Sequence, residues 1–121
     1  MPDDDLVRVL SEIQRRGAIG KGPIVDAIAH ADQFVAAAPP SHTAADLGSG
    51  GGLPGLVVAV RSPELRLTLV ERRAKRADLL RFGVRALGLS DRVSVFEGSV
   101  TQYAATLVEP VDLVTARSFG P

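Results

Sequence analysis

The sequence predicts a doubly wound α/β domain with an incomplete parallel sheet, preceded by two helices. Three observations carry that prediction. From Thr43 onward, short apolar runs alternate with stretches of helical length, the pattern of repeated strand–helix–strand units with right-handed crossovers. Directly after the first apolar run comes Gly48-Ser49-Gly50-Gly51-Gly52, a tight turn between a strand and a helix. Before Thr43 the apolar residues recur at helical spacing instead.

The elements follow in order. Asp3 or Asp4 is positioned to cap a first helix, with acidic charge complementing its positive end. Leu6, Val9, Leu10 and Ile13 form its apolar face and Gly17 ends it. Gly22-Pro23 opens a second helix, whose expected apolar face is Ile24, Val25, Ile28, Ala31 and Val35. Pro39–His42 is the only plausible linker, so residues 1–40 read as a helical segment and 41–121 as the β/α core. A first strand ends near Leu47, and a helix follows from about Pro54 to Arg61. Strands are then expected over Leu65–Val70, Val93–Phe96 and Val111–Thr115, with helices over Ala74–Leu87 and around Thr101–Leu107. The expected strand order is 3-2-1-4.

Composition narrows the function classes. The 121 residues suit one domain. With 45% hydrophobic residues and 4% aromatics, the core must rest on Leu, Val and Ala. The absence of Cys excludes disulfides, thiolate metal sites and a Cys nucleophile, and two His (His30 and His42) argue against a His-rich metal centre. His30 reads as structural. The acidic start, Asp3-Asp4-Asp5, has the wrong sign for a secretory signal. No apolar run approaches the roughly 20 residues of a membrane helix, so a cytoplasmic protein is expected. The net charge is zero, yet the stretch from Arg66 to Arg85 holds seven basic residues against Glu71 and Asp78, a local surplus of five.

The glycine stretch carries the most chemistry. Between a strand and a helix, backbone amides and the helix dipole attract an anion. Two ligands fit. A dinucleotide would place its pyrophosphate there, and Gly50, Gly52 and Gly55 satisfy G-x-G-x-x-G. S-adenosylmethionine would place its carboxylate there, with Asp46 facing its positive amino end. Asp46 ends the strand two residues before Gly48, where pyrophosphate would meet negative charge, and Pro54 removes an amide from the helix start. Both details favour S-adenosylmethionine. Glu71 ends the second strand about 20 residues further on, where an acid can accept both ribose hydroxyls.

Taken together, Asp46-Leu47-Gly48-Ser49-Gly50-Gly51-Gly52-Leu53-Pro54-Gly55, Leu69-Val70-Glu71-Arg72-Arg73-Ala74-Lys75-Arg76 and Asp112-Leu113-Val114-Thr115-Ala116-Arg117-Ser118-Phe119 resemble the RsmG (GidB) family. The resemblance covers roughly Ala45 to Pro121. It implies a Rossmann-like class I methyltransferase fold and methylation of a guanine N7 in small-subunit (16S) ribosomal RNA. It also implies that Gly48 and Leu53 line the cofactor pocket, that Val100 and Thr101 lie beside the adenine, and that Arg117 reaches the active site. Guanine N7 already offers a lone pair, so no catalytic base is named. Two features depart from the family: Ser99-Val100-Thr101 lacks its acidic residue, and the Trp-Asn…Asn-Leu-Thr segment is absent. Such enzymes have seven strands against the four expected here, so a fragment or a degenerate short relative is expected.

Arg73, Lys75 and Arg76 fall at the start of a helix, where positive charge opposes the dipole; contact with RNA phosphates explains that placement. Arg81 and Arg85 share a face with Asp78 and receive no role. Phe119 either stacks on a base or caps the core. An apolar fourth strand at an open edge should pair with something, and a dimer through it is expected. Two further function classes stay open: a non-catalytic cofactor-binding module and a nicotinamide-dependent oxidoreductase.

Overall fold

Leu6, Val9, Leu10 and Ile13 are all buried along one face of α1 (Asp4–Arg15) in the computed structural model, which describes residues 3–116. Helix α2 (Ile24–Ala37) buries Ile24, Ile28 and Ala31. Val25 does not join that face: it is 65% exposed, because one step from Ile24 rotates a helical side chain by about 100°. The expected Asp cap at α1 is also corrected. Asp3 occupies the N-cap position without a side-chain capping bond; its carboxylate instead accepts two bonds from Arg61, at 2.7 and 2.8 Å.

The core then alternates as expected: β1 (Thr43–Leu47), α3 (Gly55–Arg61), β2 (Arg66–Glu71), α4 (Ala74–Ala86), β3 (Val93–Glu97), α5 (Val100–Thr106) and β4 (Leu113–Ala116). The four strands form one parallel sheet in the order β3-β2-β1-β4. Period-2 alternation sorts their side chains between two faces. Ala44, Leu67 and Leu69 join the larger cluster with Leu10, Ile13, Leu56 and Leu80. Ala45 and Val70 face the other way, under Tyr103 of α5. Helices α1 and α2 are thus part of the main core, α1 against α4 and α2 against α3. Each fully buried Leu there contributes about 1.5–3 kcal/mol. Arg61, at the end of α3, also donates to Asp32 of α2 at 2.9 Å, so one guanidinium joins α1, α2 and α3.

At the sheet edge β4 pairs with β1 alone among the described residues, and Val114 is 54% exposed. Asp112 directly precedes β4. Its Oδ2 accepts the backbone N–H of His42 at 2.9 Å and of Thr43 at 3.3 Å, fastening the start of β4 to the start of β1.

Candidate functional site

In a parallel sheet every strand delivers its last residue to the same rim. Here that rim carries Leu47, Glu71, Glu97 and Ala116, and the glycine turn leaves β1 across it. Gly48 and Gly50 have φ of 67° and 56°, values that side-chain-bearing residues adopt at a cost. The turn is tied down from β2. Ser49 N donates to Val70 O at 3.0 Å, and Gly50 N donates to Glu71 Oε1 at 3.0 Å. Glu71 Oε2 accepts Arg73 N at 2.8 Å. The buried Glu71 carboxylate therefore spends two acceptor positions on backbone and keeps about two more. An ion pair of Glu71 with Arg72 or Arg73 does not form among the described residues.

Asp46 lies beneath the turn and is 1% exposed. Its Oδ1 accepts the Thr115 hydroxyl at 2.7 Å, while Oδ2 is buried with no hydrogen-bond partner among the described residues. Burial pushes its carboxyl above the ordinary range, and the Thr115 bond offsets this only in part. Gly55 makes the arrangement fit: a Cβ there would stand 2.5 Å from Asp46 Oδ2 and 2.6 Å from Leu69 Cδ2.

A cavity of about 490 Å³ opens over the turn, with Gly48, Gly50 and Leu53 in its wall. Asp46 is not in that wall. Val100 and Thr101 begin α5 straight after β3; Val100 is half-buried and Thr101 exposed. Ser99 caps that helix with a reciprocal Ser99–Gln102 pair. Arg117 and Phe119 lie outside the described residues.

Three polar side chains of the wall come from a part of the chain that the motifs did not point to: Gln14, Lys21 and Asp26. The available signal was a second glycine-rich turn, Gly17-Ala18-Ile19-Gly20-Lys21-Gly22-Pro23. Arg76 also lines this cavity. It simultaneously borders a neighbouring hollow of about 270 Å³ with Arg16, Arg73 and Lys75, so the sequence-predicted basic residues do converge and gain Arg16 from α1. Arg81, by contrast, pairs with Asp78 at 2.8 Å and Glu97 at 3.2 Å. His30 is exposed on α2, its ring edge-on to Phe34. Among the described residues no three His, Asp or Glu side chains converge as a metal site, and no helix is long and apolar enough to cross a membrane.

The family described as rRNA small subunit methyltransferase G (GidB) matches residues 8–121. The chain belongs to this family. A ribosomal RNA small subunit methyltransferase G from Rhizorhabdus wittichii is 50% identical over 76 residues, covering 63% of this chain and 34% of that one. Its namesake from Salinispora tropica is 45% identical over 87 residues, covering 69% and 36%. This GidB-family chain thus spans about a third of the length of these curated relatives. Among solved structures it resembles an O-methyltransferase from Bacillus cereus in complex with SAH, with TM-score 0.70 and 22% identity over 95% of this chain and 54% of that one. The C-terminal domain of precorrin-6Y C5,15-methyltransferase from Rhodobacter capsulatus gives TM-score 0.67 and 23% identity, covering 87% and 53%. These likenesses show the fold, the Rossmann-like one of class I methyltransferases.

Proposed function

We propose that this chain binds S-adenosylmethionine and serves methyl transfer to a guanine N7 of small-subunit ribosomal RNA. The observation that carries the reading is the glycine turn held over the strand rim by Glu71, within a chain of the GidB family. The residues present fit the cofactor. Glycines at 48 and 50 leave room for close approach, and Glu71 retains lone pairs for ribose hydroxyls. Asp46 holds the turn from below, and its buried carboxyl sets the electrostatics there. Gly48, Gly50 and Leu53 form the wall, Val100 and Thr101 bound the adenine side, and Arg117 serves the reacting end. Bound there, the cofactor supplies a methyl group activated by a sulfonium. The protein's contribution is positioning and exclusion of water, which suffice for an acceptor with a free lone pair.

For the RNA, Arg73 and Lys75 are exposed and Arg76 half-buried, none of them paired with an acid among the described residues. Arg73 and Lys75 border the 270 Å³ hollow beside Leu79 and are assigned to backbone phosphates, whereas Arg76 borders this hollow and the glycine cavity alike. The membrane plays no part in this reading, which places the protein in the cytoplasm. The test is transfer of labelled methyl groups to deproteinised small-subunit RNA. Label in guanine supports the reading, and no transfer while cofactor binds would reduce the chain to a cofactor-binding module.

A further inference from the structure

The wall that α1 and α2 contribute to the glycine cavity packs closely on the glycine turn. A Cβ on Gly51 would fall 2.2 Å from Ile19 Cγ1 and 2.6 Å from Ala18 O, so only glycine lets the two turns touch there. Gln14 fastens the second turn from its other side, with Nε2 donating to Gly20 O at 2.9 Å and Gly22 O at 2.8 Å. This wall presents Lys21 and, from the first turn of α2, Asp26. Arg76 faces the same space from α4. None of the three is hydrogen-bonded or ion-paired among the described residues.

One carboxylate and two cations around a polar turn match a ligand that carries one cation and one anion side by side. That is the α-amino-acid group. We propose that Asp26 binds the α-ammonium, and Lys21 with Arg76 the α-carboxylate, of the amino-acid end of S-adenosylmethionine; this rests on the cofactor reading above. Asp46, the acid nearest the turn in sequence, is sealed beneath it, so a direct counter-charge for the ammonium has to come from elsewhere. Asp26 is the carboxylate in the cavity wall. Charge-assisted hydrogen bonds of this kind give both affinity and selectivity.

The experiment is calorimetric titration of the full chain with S-adenosylhomocysteine and with 5′-methylthioadenosine, which keeps the adenosine and thioether but lacks the amino-acid end. Asp26→Asn and Lys21→Met should each weaken S-adenosylhomocysteine tenfold or more while leaving methylthioadenosine within about twofold, and the second ligand doubles as a check of the fold. Equal losses for both ligands, or no loss for either, overturn this assignment and leave the cofactor reading standing. A parent chain that binds neither ligand overturns both.

Discussion

Glu71 accepts the backbone N–H of Gly50 across 21 residues of sequence, at 3.0 Å. One bond thereby couples the acid at the end of β2 to the turn at the end of β1, and its other oxygen starts α4 through Arg73 N. Glu71→Ala should weaken S-adenosylhomocysteine binding by about 1.5–3 kcal/mol, from the missing charge-assisted bonds to ribose and a loosened turn. Calorimetry decides it: unchanged affinity in a folded variant would remove Glu71 from the site.

Arg73→Ala combined with Lys75→Ala should lower RNA affinity and leave cofactor affinity within a few-fold. Every phosphate neutralised by a side chain adds about 0.7–0.9 to the slope of log affinity against log salt, so the double variant should show a slope shallower by roughly 1–2. Filter binding of a small-subunit RNA fragment at several salt concentrations reads this directly. A parent affinity that ignores salt would contradict the phosphate role.

Gly55→Ala tests the packing beneath the turn. The new methyl would sit within 2.6 Å of both Asp46 Oδ2 and Leu69 Cδ2, so overpacking should cost about 1–3 kcal/mol in urea unfolding. A variant as stable as the parent would mean that β1 and α3 separate more easily than the geometry indicates.

Two acids give pH dependences of opposite sign. Asp46 is raised above its ordinary 3.8 by burial. Its contribution to stability is full below 3.8 and is lost as pH rises through its folded value. Asp112 is lowered from 3.8 by the amides of His42 and Thr43. Its contribution is present above 3.8 and is lost as pH falls through its folded value. Asp46→Asn should therefore flatten the decline as pH rises above 3.8, and Asp112→Asn the decline as pH falls below 3.8. Unfolding curves across pH test both, and identical profiles for parent and variants would contradict the assignment.

The exposed edge of β4 invites pairing with a second copy. Light scattering at micromolar concentration should give a mass near twice 12.7 kDa. A stable monomer would show that the edge of β4 does not pair between copies.

The sheet was legible because strand and helix periods differ so clearly after Thr43, and because a glycine turn after an apolar strand has few other uses. The strand order β3-β2-β1-β4 agrees with the doubly wound arrangement expected from the sequence. The glycine turn of Gly48, Gly50 and Leu53 was legible because one contiguous motif carries it, and the bond from Gly50 N to Glu71 ties it to the end of β2. Lys21 and Asp26 were missed because they reach the cavity through tertiary packing of Ile19 on Gly51, which no spacing rule encodes. Asp3 misled for a related reason: it has a local use as a cap, but Arg61 offers a stronger partner 58 residues away.

The most direct measurement is a calorimetric titration of the chain with S-adenosylhomocysteine and, separately, with NAD. The account predicts saturable one-to-one binding of S-adenosylhomocysteine and no heat with NAD. Binding of NAD alone, or of neither, would contradict it.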